Sequence, residues 1–197
     1  MQKKIYLAFI LIFPFYLMAQ NINTTEYKIS MIGNSQEIYL IKENDNYSGF
    51  IISSFYKPSK RFLGLTLRKH EALNIKTDLD SDLVKKTMSE LKNMGIDNLQ
   101  NCEENIDCNK INFLDPDFLV FDIKNGDSIS SYKFKEVYPE NNSKDIIEKN
   151  AIRRTAQILI TVINENLDLK TQFKFALRKM KKPYCYDCGG ISSCCVK

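Results

Sequence analysis

The residues of this chain best equipped for chemistry are its six cysteines, and four of them crowd its last thirteen positions, Cys185-Tyr-Asp-Cys188-Gly-Gly-Ile-Ser-Ser-Cys194-Cys195-Val-Lys197. Thiolates can hold zinc when four converge tetrahedrally, usually as two C-x-x-C pairs. Cys185 and Cys188 offer one such pair, but Cys194 and Cys195 are adjacent, and adjacent side chains diverge. The metal set Cys185, Cys188, Cys194 and Cys195 is therefore the lesser reading, and no cofactor is expected. Thiol exchange through Cys185-x-x-Cys188 fares no better. Redox pairs of that spacing draw a low thiol pKa from a helix N-terminus, whereas this pair follows a helix and precedes Gly189-Gly190.

In an oxidising compartment an even cysteine count reads as a disulfide set, and six cysteines allow fifteen connectivities. Cys102 and Cys108 enclose Glu103-Glu104-Asn105-Ile106-Asp107, which favours a local bridge. Cys185, Cys188, Cys194 and Cys195 can close on one another or reach back to that loop.

Other chemistries find less support. His70 is the sole histidine, so a zinc site built on several histidines is excluded, and His70 would have to be the base of any Ser-His or Cys-His hydrolase. Its neighbours Leu67-Arg68-Lys69-His70-Glu71 form no motif, and no G-x-S-x-G elbow is present. Asp115 and Asp117, or Glu103 and Glu104, could serve as acid/base pairs of a glycosidase, but loop acids of this kind are ordinarily solvated. Asp78, Asp80 and Asp82 alternate as calcium ligands do, without the glycine and distal glutamate of an EF-hand loop. A phosphate-binding glycine loop is also missing. Lys170, Lys174 and Arg178, followed by Lys179, Lys181 and Lys182, suit a solvated helix face or one that meets a membrane surface or acidic partner. Three glycosylation sequons, at Asn23, Asn46 and Asn141, carry little weight if the host is bacterial.

The compartment is legible at the other end. Met1–Ala19 combines Lys3 and Lys4 with the apolar run Ile5–Phe13 and a small residue at Ala19, the three parts of a secretory signal peptide. The run is short for a bilayer span and is interrupted by Pro14. Cleavage after Ala19 leaves about 178 residues and lowers the formal charge from +4 to +2. A surface so nearly balanced carries no strong field for nucleic acid.

The elements that must position these residues follow from periodicity. Tyr27–Ile32, Glu37–Ile41 and Tyr47–Phe55 alternate as strands, the last two forming a hairpin across Glu43-Asn44-Asp45-Asn46. Phe62–Ile75 reads as one further strand. Asp80 caps a helix carrying Leu83, Val84, Thr87, Met88, Leu91 and Met94, with Gly95 just past its end. Residues 98–112 read as a loop. Asn125-Gly126 predicts a type I′ turn between Phe118–Ile123 and Ser128–Phe134. A long helix, with Ile147, Ala151, Thr155, Ile158, Leu159, Val162 and Ile163 on one apolar stripe, is predicted from Ser143 to about Asn166, then a last helix from Asp168 that Pro183 ends.

This order predicts an α+β fold: an antiparallel sheet built from hairpins, about three helices packed on one face, and a cysteine-rich tail. The expected organisation is a signal peptide over 1–19, a single domain over 20–183 and the tail over 184–197. The expected function is that of a secreted or periplasmic, non-enzymatic module of a bacterial envelope that binds a protein or envelope component. It has no stable membrane span once the leader is removed. A small exported hydrolase using carboxylates or His70, and a metal or redox function of the tail, are the alternatives.

Overall fold

The computed structural model describes residues 24–32, 35–58, 60–62, 65–68, 71–102, 105–109, 117–140, 147–189 and 192–197. The leader Met1–Ala19, His70, Glu103, Glu104 and Asp115 lie outside them. The fold is α+β, a curled eight-stranded antiparallel sheet with three helices of more than ten residues among those described.

Three strands, β1 (Thr24–Ile32), β2 (Gln36–Glu43) and β3 (Asn46–Lys57), form a meander. The β2–β3 link is the two-residue loop Asn44-Asp45, and Asn44 takes the left-handed conformation (φ 55°) that asparagine tolerates. β6 (Glu71–Asp78) pairs along β3, while β7 (Phe118–Asn125) pairs with β1 and with β8 (Ser128–Lys135). β4 (Lys60–Phe62) and β5 (Leu65–Arg68) make a separate two-stranded piece. The order across the main sheet is β10-β9-β3-β2-β1-β7-β8, with β6 also on β3.

The helices are α1 (Ser81–Asn93), α3 (Ala151–Leu167) and α4 (Leu169–Lys179), with a single turn, α2 (Ile106–Asn109), between the first two. Asp80 caps α1, accepting from the backbone N–H groups of Asp82 (3.0 Å) and Leu83 (3.1 Å). Asp168 ends α3 and starts α4, its carboxylate accepting from Thr171 N–H at 3.2 Å.

Alternate strand residues enter the main core: Tyr27 and Ile29, Ile38 and Leu40, then Leu119, Phe121 and Ile123. They meet Val84, Met88 and Leu91 of α1 and Ala156, Leu159, Ile160 and Ile163 of α3. At Gly49 of β3 a Cβ would stand 2.7 Å from the Tyr39 carbonyl oxygen and 2.9 Å from Val84 Cγ2. α1 therefore crosses β3 where only glycine leaves room. A second cluster joins Phe55 of β3 to Ala176 of α4 and Tyr184, with Leu73 and Ile75 of β6 against them.

Four expectations are corrected. Phe62–Ile75 is not one strand: the chain pairs as β4 and β5, then starts β6 at Glu71. The long helix begins at Ala151, not Ser143, because the Asn150 side chain caps it by accepting from Ile152 N–H (3.0 Å) and Arg153 N–H (3.3 Å). Ile147, expected on its apolar stripe, is exposed. The turn after β7 is Gly126-Asp127; φ is positive at Gly126 (59°) and not at Asp127, which excludes type I′. The stretch 98–112 is not wholly loop, since a 3₁₀ turn ends at Asn98 and α2 lies within it.

The tail is also more ordered than its composition suggests. It forms the hairpin β9 (Tyr184–Asp187) and β10 (Ser193–Val196), which joins the main sheet where Cys185 pairs with Tyr56 of β3. Among the described residues no helix is long and apolar enough to cross a membrane.

Candidate functional site

Oxidation fixes the tail first. Cys185 is bonded to Cys195 and Cys188 to Cys194, two nested bridges that lace the β9–β10 hairpin, and Cys102 is bonded to Cys108. The tail thus closes on itself and does not reach back to the Cys102–Cys108 loop. Cys185 and Cys188, the pair with redox spacing, are not bonded to one another. With its sulfur atoms in disulfides, this hairpin holds no thiolate for a metal.

The laced hairpin is seated by Ser35, just before β2. Its hydroxyl donates to the Asp187 carbonyl (3.0 Å) and accepts from the Asp187 N–H (2.9 Å). On the side of the α4 core, an aromatic cluster locks the hairpin down. The Phe55 ring lies 5.6 Å from Phe173, 5.8 Å from Tyr184 and 6.2 Å from Tyr186, and Phe173 is 5.2 Å from Tyr186.

A cleft of about 360 Å³ opens between this hairpin and the corner where β7 begins and β8 ends. Met31, Phe118, Leu119, Val137, Phe173 and Tyr186 give it apolar walls; Asp117, Tyr138 and Asp187 are its polar groups. That is the size and composition of a small-ligand or side-chain pocket.

The polar wall is held by a reciprocal clasp. Asp117 N–H donates to Glu136 Oε1 (2.6 Å), while Glu136 N–H donates to the Asp117 carbonyl (2.9 Å). The Tyr138 hydroxyl lies 2.8 Å from Asp117 Oδ2 and 2.7 Å from Glu136 Oε2. One phenolic proton serves two carboxylates here. Burial, reinforced by both acids, holds the Tyr138 hydroxyl well above the ordinary phenol pKa. Glu136 pays for its place with φ 50°, a left-handed conformation that costs a non-glycine residue about 1–3 kcal/mol and recurs where function fixes the backbone.

Behind the wall stands Arg153 of α3, which is 2 % exposed. Its guanidinium donates to Glu148 Oε2 (2.8 Å) and to the carbonyls of Lys135 (2.7 Å) and Glu136 (3.4 Å). Gln157, one turn on, donates to the Tyr138 carbonyl at 3.4 Å and accepts from Glu148 N–H at 2.9 Å. Two buried polar side chains thus pin the segment that presents Glu136 and Tyr138. They are positioning residues.

Of the acids singled out from sequence, Asp117 lines the cleft, while Asp80 is spent on its cap and Asp78 on Lys76 at 3.1 Å. Tyr138, Glu136, Arg153, Phe173, Tyr186 and Ser35 were not foreseen. Arg153 did leave a signal: it shares the helical spacing of Ala156, Ile160, Ile163 and Leu167, so a charge falls on the core stripe of α3. No family model, curated protein sequence or solved structure matches the chain.

Proposed function

We propose that this chain is an exported, non-enzymatic binding module of a bacterial envelope, and that its partner places a side chain or small group in the cleft beneath the disulfide-laced hairpin. The reading takes Met1–Ala19 as a cleaved leader. It also takes α1, α3 and α4 to cover one face of the sheet, consistent with the alternation of buried residues along β1, β2, β3 and β7. The observation that carries it is the cleft wall: Asp117 beside Phe118, with Phe173 and Tyr186 also lining the pocket. Carboxylates and aromatic faces together select a group that is basic at its tip and apolar along its stem.

Filling the cleft tests this. Met31→Trp should abolish retention of the partner from the host's envelope fraction and, since Met31 also packs against the core, lower the unfolding free energy in urea by no more than about 1–3 kcal/mol. Equal retention by parent and variant would sink the proposal.

A second reading has one observation behind it. Asp117 and Glu136 converge on a single phenol oxygen, so these two carboxylate oxygens lie no further apart than the roughly 5.5 Å of a retaining glycosidase pair. Both are already engaged, since Glu136 Oε1 holds the Asp117 N–H and Glu136 does not line the cleft. Binding is therefore preferred to hydrolysis. Turnover of any glycoside or ester that Asp117→Asn abolishes would reverse that preference.

A further inference from the structure

A run of charges of one sign lies on α4 and the turn after it. Lys170, Lys174, Arg178, Lys179, Lys181 and Lys182 fall within thirteen residues that include no Asp or Glu. All six are exposed. Among the described residues none of them forms an ion pair. Three described carboxylates, on β6 and at the head of α4, are engaged elsewhere. β6 packs against α4, but Glu71 is 3.0 Å from Lys57 and Asp78 is 3.1 Å from Lys76. Asp168, at the head of α4, is turned to its cap; the Thr171 hydrogen bonds, aided by Lys174 and Lys170, hold its carboxyl below the usual carboxylate range.

One apolar side chain breaks this polar surface. Phe175 is 49 % exposed, although α4 buries Leu169 and Ala176 and half-buries Phe173 and Leu177 in the core. The Arg178 guanidinium lies 5.5 Å from its ring centroid. Phe175 thus places an exposed aromatic ring among these cations. An anionic bilayer has a use for both, since lysines gather at its headgroups and an aromatic ring enters the boundary below them.

We infer that α4 and residues 181–182 form a docking surface for anionic phospholipid, on which the protein sits peripherally with Phe175 in the headgroup layer. The contact is electrostatic first, because the apolar face of α4 is already committed to Phe55 and Tyr184. Each cation near the surface contributes roughly fivefold in affinity. The attraction is screened within a Debye length, about 10 Å at 0.1 M salt.

Co-sedimentation of the disulfide-intact protein with vesicles tests the inference. Phosphatidylcholine vesicles containing about a third phosphatidylglycerol should bind it at low salt, and pure phosphatidylcholine should not. Lys174→Glu with Arg178→Glu and Lys182→Glu should lower binding by roughly a hundredfold or more. Phe175→Ala should lower it several-fold and leave the salt dependence intact. The three reversed positions are exposed, so the near-ultraviolet spectrum should not change. Equal binding to neutral vesicles, unchanged binding by the charge-reversed variant, or tight binding to a soluble polyanion such as heparin without binding to anionic vesicles would each overturn it.

Discussion

Replacing Arg153 by methionine is the most demanding test of how the cleft is built. Methionine keeps the apolar stem that packs in the core and removes only the guanidinium. The parent guanidinium is 2 % exposed and donates to Glu148, to the Lys135 carbonyl and to the Glu136 carbonyl. Without it the Glu148 carboxylate, 14 % exposed, is left near the core with its counter-charge gone. Stranding one member of a buried pair costs about 3–5 kcal/mol, far above the roughly 0–1 kcal/mol of a surface pair. With a urea m-value of about 2 kcal/mol/M for a domain of this size, the unfolding midpoint should fall by roughly 1.5–2.5 M. Adding Glu148→Gln removes the stranded charge and should restore about 2 kcal/mol. Amide exchange at residues 136–138 should accelerate in the single variant, because their anchor is gone. A loss below about 1 kcal/mol, or a double variant as unstable as the two single losses together, would refute the claim that a buried ion pair holds the cleft wall.

Three further outcomes are expected. Gly49→Ala should destabilise by about 1–3 kcal/mol in urea titration, since the new methyl meets the Tyr39 carbonyl at 2.7 Å and backbone must move; a neutral result would mean α1 is free to shift off β3. Ser35→Ala should cost about 1–2 kcal/mol and speed amide exchange at Asp187, because both bonds that seat the hairpin are lost; exchange unchanged at Asp187 would show that the aromatic cluster holds it alone. Tyr27 and Tyr138 both have raised phenol pKa values, chiefly from burial. Their stability contribution is complete below about pH 10 and is lost as pH rises further, so in an absorbance titration they should ionise together with unfolding; ionisation of either in the folded protein at its ordinary pH would refute the assignment.

What the sequence conveyed was the local code. The Asp80 cap, the Gly95 stop, the strand alternation and the Asn44-Asp45 hairpin are each set by residues a few positions apart, and all are found in the structure. The long helix was mis-started because Ile147 matched the stripe by spacing, while the Asn150 cap that competes with it is a single polar residue. Phe62–Ile75 misled for a related reason, since its alternation continues through chain that pairs as two separate pieces. The cleft was hidden because it is assembled from distant segments: Asp117 from the start of β7, Tyr138 from beyond β8, Phe173 from α4 and Tyr186 from β9. Only tertiary contact brings them together. A charged residue on an apolar stripe, as at Arg153, is the one sequence cue that a buried polar anchor was needed there.

The way β3 shares its edge has a consequence for the timing of folding. β2 covers that edge from Asn46 to Ser53, and beyond it the partner is β9, which appears more than a hundred residues later in the chain. As the polypeptide emerges from its N-terminus, the far end of β3 lacks its β9 partner through α1, the β7–β8 hairpin and both later helices, and Phe55, backed by Leu73 and Ile75 of β6, waits for α4 and Tyr184. An uncovered strand end beside an exposed aromatic is where sheets join the wrong neighbour. The chain is therefore most open to self-association late in synthesis, until β9 pairs with β3 at Tyr56.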